Sequence, residues 1–278
     1  MALIDKKTEV LAAIIVGCVG VFFVFGMPFF VGGIISELGF NQSQANLVSS
    51  AEIAGMALSS MLGFFWIQRF RWRAIAYFGI AVIVAGNLIS SIEFSDEHSF
   101  PLFLTVRFIT GLFGHGLCFS LGVAAIGRTI NPDKNFSYTI AAQVIMGSLT
   151  ALLVPIAMSK YGIVGMTYPA IALAVIGLYF IKDLNDGKQS ELNNINTDGS
   201  SKMLFLPLIG LLIMAIWQMG VGPFFNNLVP YGINNGLSGD AIGRALFIST
   251  AMSIIGPISA SMLIGKIDRS YAVFGALS

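Results

Sequence analysis

Arg107 and His115 stand in a run, "FPLFLTVRFITGLFGHGLCFSLGVAAIG" at 100–127, whose other members are mostly apolar or glycine. Glu52 stands in a second run of that kind, "NLVSSAEIAGMALSSMLGFFW" at 46–66. A carboxylate, a guanidinium and an imidazole in such surroundings are the groups that exchange protons or hold an anion. Each is costly there without a partner, roughly 2.5 to 3.5 kcal/mol for arginine at a bilayer centre. Counted by helical rise from the same membrane side, Glu52 lies about 12 Å and Arg107 about 9 Å deep. Opposite charges at one depth offset much of each other's desolvation. The pair is therefore expected to interact and to face a shared aqueous cavity, and two roles stay open for it: Glu52 takes and releases a proton, or the groups serve structure alone, as an ion pair or with Arg107 capped by backbone carbonyls near the first span. His115 is expected near the midplane. At 100° per residue it lies about 80° round the helix from Arg107, so the two share a face only loosely. Two roles remain open for it, a hydrogen bond to a neighbouring helix or a proton or substrate group. Gln143, Gln218, Asn226 and Asn227 add uncharged donors and acceptors at depths a cavity would cross. Gly111, Gly114 and Gly116 read as positions of close helix packing.

The elements that must carry these groups follow from composition. Only 10% of the 278 residues are charged and 56% are hydrophobic, where soluble domains carry about 25% charged residues. Apolar runs of spanning length fall near 10–35, 45–67, 74–92, 101–127, 136–158, 163–181, 204–230 and 241–264, which predicts eight transmembrane helices in an all-α polytopic membrane protein. Continuous apolar runs favour helices over the short alternating strands of a membrane barrel. The first run is too long for a cleavable signal and is read as a retained span. Lys6, Lys7, Arg69, Arg71, Arg73, Arg128, Lys182 and Lys202 collect on one side, which predicts a cytoplasmic N-terminus in a cell membrane, either a bacterial inner membrane or a plasma membrane. A net charge of +1 gives no reason to expect nucleic acid. Cys18 and Cys118 lack metal or redox spacing, and no nucleotide loop, metal cluster or nucleophile elbow occurs, so neither an enzyme nor a cofactor is expected.

The polar stretch "KDLNDGKQSELNNINTDGSSK" at 182–202 reads as a linker. It divides the chain into residues 1–182, a six-helix bundle, the cytoplasmic linker 183–202, and residues 203–278. Across it "GMPFF" at 26–30 is echoed by "GPFF" at 222–225, and "SSMLGFFWIQRF" at 59–70 by "SASMLIGKIDRS" at 259–270. Spans seven and eight thus read as partial copies of spans one and two. The tail "SYAVFGALS" covers only about 12 to 14 Å as a helix, and is read as a ninth span begun and not finished.

Six spans, a polar linker and the start of a second set resemble the major facilitator superfamily of secondary transporters. Arg107 followed by Gly111, Gly114 and Gly116 is similar to that family's fourth-helix motif, with Thr110 where glutamine is common. "GFFWIQRFRWR" resembles its basic loop through Gly63, Arg69, Arg71 and Arg73, although the usual acid is missing around Ile67 and Phe70 replaces the inner glycine. "GKIDRS" supplies Gly265, Asp268 and Arg269 in the matching loop of the second half, one residue tighter than is typical. The glycine-proline signature of many drug exporters is not seen in span five. The resemblance implies a six-helix bundle followed by the first two to three helices of a second one. It implies transport of a small organic solute by alternating access, coupled to protons. Helices beyond Ser278 would then be required for activity. The alternative is a membrane solute sensor that does not transport, or an inactive transporter fragment.

Overall fold

The computed structural model describes residues 6–92, 99–184, 216 and 221–263. The regular secondary structure of the described residues is all helical, with no strand. In chain order they form α1 (Lys7–Glu37), α2 (Gln42–Trp66), α3 (Trp72–Ser90), α4 (Phe100–Ile109), a π turn (Thr110–His115), α5 (Gly116–Gly127), α6 (Pro132–Tyr161) and α7 (Val164–Ile181). After an interval come a helical stretch at 221–226, here α8, then α9 (Leu228–Asn234), α10 (Gly239–Met252) and α11 (Ile255–Leu263). The linker expected at 183–202 lies almost wholly outside the described residues, as do Gln218, Gly265, Asp268 and Arg269.

Among the described residues six helices are long and apolar enough to cross a membrane: Lys7–Glu37, Trp72–Ser90, Phe100–Gly127, Pro132–Tyr161, Val164–Ile181 and Gly239–Leu263. The chain is thus a multi-pass helical membrane protein by the length and apolarity of these elements. Its outer surface has the pattern that lipid demands, with Phe78, Leu153, Ile176 and Tyr179 all exposed. Two of the eight predicted spans differ. α2 forms as a 25-residue helix but is not among the six, since Asn46, Ser49, Ser50, Glu52, Ser59 and Ser60 lower its hydropathy. The run near 204–230 is mostly outside the described residues, and its visible end is broken at Asn227 and continues to Asn234. Pro230 has no N–H for the Asn226 carbonyl four residues back, which explains the break. The same rule places the interruption between α10 and α11 at Ser253 and Ile254, four and three residues before Pro257.

α1 is the central rod. Its lower-numbered half packs Ala12, Val16 and Val19 with Trp72, Ile80, Leu121 and Ile126. Its second half packs Phe23, Met27, Phe30 and Ile34 with Phe103, Val154 and Met166. Around it the helices are tied by side-chain hydrogen bonds, Ser60 to Ser120 at 2.9 Å and Ser91 to Thr167 at 2.7 Å. Such bonds matter in lipid, where apolar burial no longer drives association. Glu37 ends α1 and accepts the Ile163 backbone N–H at 2.6 Å just ahead of α7. The chain reaches that point through Gly162 at φ 61°, a conformation that favours glycine.

Candidate functional site

α4 and α5 are halves of one span joined by the π turn, in which the Gly116 N–H bonds the Gly111 carbonyl five residues back. A π turn accommodates one extra residue relative to an α-helix. That residue absorbs about 100° of rotation, so the expected offset of about 80° between Arg107 and His115 becomes roughly −20°. This corrects the loose alignment expected from ideal helical geometry: both side chains point at the same carboxylate. α2 comes close enough to supply that carboxylate because the facing positions are glycine. A Cβ on Gly111 would strike the Glu52 carbonyl, and one on Gly55 would stand 2.5 Å from the Phe108 carbonyl oxygen.

Arg107 donates from Nε to Glu52 Oε2 at 3.0 Å and from Nη2 to Glu52 Oε1 at 2.5 Å, a two-pronged ion pair. Its Nη1 donates to Asn87 Oδ1 at 3.1 Å and Ser90 Oγ at 3.2 Å. The guanidinium carbon lies 4.0 Å from the ring centroid of Phe23 and 5.0 Å from that of Phe30. Every face of the cation is thus used: carboxylate, amide, hydroxyl and two aromatic rings of α1. His115 Nδ1 donates to the Val19 carbonyl of α1 at 3.3 Å, since a carbonyl can only accept. Its Nε2 lies 3.6 Å from Glu52 Oε1 and, among the described residues, has no hydrogen-bond partner. In the neutral tautomer that this arrangement selects, Nε2 is an acceptor facing another acceptor. A proton at that edge would satisfy both.

The cluster is sealed. Glu52, Asn87, Ser90, Arg107 and His115 all have 0% relative exposure. This overturns the expectation that the acid and base face a shared aqueous hollow. A hollow of ≈ 390 Å³ beside α2 is lined by Asn46, Ser49, Ser50 and Ile53 on α2 and by Pro223, Asn226 and Asn227 beyond the linker. That face is centred about 110° round α2 from Glu52 at 100° per residue. Asn226 and Asn227 therefore belong to a separate place, where Asn227 Oδ1 accepts from Gln42 Nε2 at 2.5 Å. Gln143 belongs to neither. It is half-buried on α6, facing Gly17 of α1.

Of the basic-loop residues, Gly63 is buried in the last turn of α2, while Arg69, Arg71 and Arg73 are exposed. Arg73 Nε donates to the Leu184 carbonyl at 2.8 Å, satisfying an acceptor past the end of α7. Sequence reasoning missed Asn87 and Ser90. Their signal was available, two polar residues three apart in an otherwise apolar span, which on a helix share a face.

No protein-family model matches the chain, and no curated protein matches it.

Proposed function

We propose that the chain is part of a major-facilitator-like secondary transporter that moves a small organic solute by alternating access, coupled to protons through Glu52, Arg107 and His115. One observation carries this reading: a carboxylate locked by arginine on one edge faces the open acceptor nitrogen of a buried histidine on the other. Ionisable groups inside a membrane are costly and rare, and those present mark pathways and relays by default.

In this reading the ionised Glu52 holds α2 to α4 through Arg107. A proton arriving at Glu52 removes its charge and leaves Arg107 with the neutral acceptors Asn87 and Ser90 and the two rings of Phe23 and Phe30. His115 Nε2 is the neighbouring proton acceptor. Because the attraction between α2 and α4 depends on that charge, proton occupancy biases how the helices sit, which is what coupling requires. The sealed cluster then belongs to one end-state of the cycle, and the other opens it to water. The membrane orientation with the N-terminus in the cytoplasm is part of the same proposal, resting on the distribution of Lys and Arg.

The test uses proteoliposomes loaded with a pH-sensitive dye and challenged with a panel of small carboxylate-bearing and amphipathic solutes. Solute-dependent proton movement is expected, and Glu52→Gln is expected to remove its coupling to the pH gradient. Unchanged transport, pH dependence and expression in Glu52→Gln would deny the cluster a coupling role. The complete burial of the cluster favours a second reading, a structural lock in a membrane sensor that does not transport. That reading predicts that Glu52→Gln alters thermal stability and solute binding together, with no proton movement in either protein.

A further inference from the structure

The hollow between α2 and α8 holds a polar side chain that the fold leaves without a partner. Asn226, the last residue of α8, lines it and is only 8% exposed, yet its carboxamide makes no hydrogen bond among the described residues. Its neighbours are engaged. Asn227 donates from Nδ2 to the Pro223 carbonyl at 2.8 Å and accepts from Gln42, and Ser49 donates to the Asn46 carbonyl at 3.0 Å. A buried amide left unpaired costs about as much as a lost hydrogen bond, so the fold leaves Asn226 to whatever fills the hollow. Much of the remaining wall is apolar, with Ile53 and Ala57 on α2 and Pro223 opposite. Among the described residues that line the hollow none is charged.

We infer that this hollow binds an uncharged organic solute with an apolar body and a carboxamide-like edge, a donor beside an acceptor. A carboxamide carries its donors and its acceptor side by side, so a group with the same edge meets Asn226 through two hydrogen bonds at once, one in each direction. The volume of ≈ 390 Å³ lies within the range of about 300 to 1,000 Å³ usual for small-molecule sites, which are mostly apolar with a few polar groups that fix orientation. An ion entering here gives up its hydration with no opposite charge to meet it. A lipid tail would cover Ile53 and Ala57 but leave the Asn226 carboxamide as unpaired as before. Water would pair with the amide but would leave the apolar wall wet. This site gives the proposed solute a chemistry and rests on that reading only for the solute's movement, since a sensor would need the same binding.

Ser50 is exposed and lines the same hollow, so Ser50→Cys places a thiol there, while Cys18 and Cys118 are buried. In detergent micelles, the rate at which a small water-soluble thiol reagent labels Ser50→Cys is followed with benzamide, acetophenone, benzoate or benzylammonium present. The four share a ring and differ at the edge: donor with acceptor, acceptor alone, anion and cation. Benzamide is expected to protect the thiol at a concentration roughly three- to tenfold lower than acetophenone, and more than about tenfold lower than either ion. With Asn226→Leu added, benzamide is expected to lose its advantage over acetophenone. Asn226→Leu by itself is expected to unfold at the same temperature as the parent or higher, because it removes an unpartnered buried amide, whereas loss of a structural residue would lower that temperature. Asn235→Cys, exposed and outside the hollow, is expected to label at one rate whatever is added. Equal protection by benzamide and acetophenone, stronger protection by an ion, an advantage that survives Asn226→Leu, lost stability in that variant, or protection of Asn235→Cys as well would each overturn the proposal. So would absence of labelling at Ser50→Cys, which would mean that the hollow is closed to solutes. Protection by benzamide without benzamide-dependent proton movement in proteoliposomes would refute the transport reading and leave this site standing.

Discussion

The apolar window of Phe100–Gly127 is 61% buried, and that of Gly239–Leu263, of equal mean hydropathy, is 0% buried. Residues 7–184 close around α1 with two apolar clusters, an ion pair and hydrogen bonds between helices. Residues 221–263 attach on one side only, mainly along α6, with Leu246 and Phe247 half-buried against its apolar cluster. α10 buries Ile242 and Gly243, α11 buries nothing, and α8 and α9 reach the first bundle through Asn227 on Gln42 and Val229 in its core. The contrast is instructive because the two regions do not differ in the apolar character of their spans. In lipid that character keeps a helix in the membrane but gives it no preference for another helix over a lipid tail. Association needs close backbone approach or polar bonds; the first region has both in its buried interior, and the second has one of each at its edge, Gly243 against α6 and the exposed Gln42 to Asn227 bond.

The largest expected effect removes the polar tie at its centre. Arg107→Leu should destabilise the first region by about 3 to 5 kcal/mol, because it leaves Glu52 buried and uncompensated. The double variant Arg107→Leu with Glu52→Leu should recover most of that loss. Denaturation in detergent micelles, followed by tryptophan fluorescence, measures both. A single variant as stable as the parent would show that the ion pair does not hold α2 to α4.

Next comes the close approach that brings α2 to the π turn. Gly111→Val is expected to cost about 1 to 3 kcal/mol, since its Cβ would meet the Glu52 backbone and the two helices would have to part. The same unfolding experiment reads it, and full stability would mean that α2 yields easily.

The matching change in the second region is Gly243→Val. A Cβ there would lie 2.7 Å from the Ala151 carbonyl oxygen and the Pro155 Cγ of α6. Faster hydrogen exchange in α10 is expected, by about 1 kcal/mol of lost protection, with α1 to α5 unaffected. Spread of the effect into α1 would mean that the two regions are one cooperative unit.

The smallest effect is expected from Gln42→Ala, about 0.5 to 1.5 kcal/mol confined to α8 and α9 and read in the same exchange experiment. Its hydrogen bond to Asn227 joins exposed side chains, and water can replace it.

How much of this was legible before folding depends on the range of the interaction. The predicted span 10–35 became Lys7–Glu37 and 136–158 became Pro132–Tyr161, longer at both ends because helices continue past the apolar core. Equal depth of Glu52 and Arg107 was legible because helical rise is a local property. Their partners Asn87 and Ser90 share a face of α3, which was legible, but which helix that face meets was not, because a hydrogen bond across three helices is set by packing. The π turn left no mark either, since its glycines read equally well as packing positions.

The chain by itself determined that its spans are helices, because a backbone in hydrocarbon must bond to itself, and that an arginine among them requires an acid. Tertiary structure alone decided that His115 joins the pair and that the trio is shut away from the Asn46 to Asn226 hollow. One extra residue in a helical turn rotates everything after it by about 100°, and which face then meets which neighbour is settled only when the helices pack.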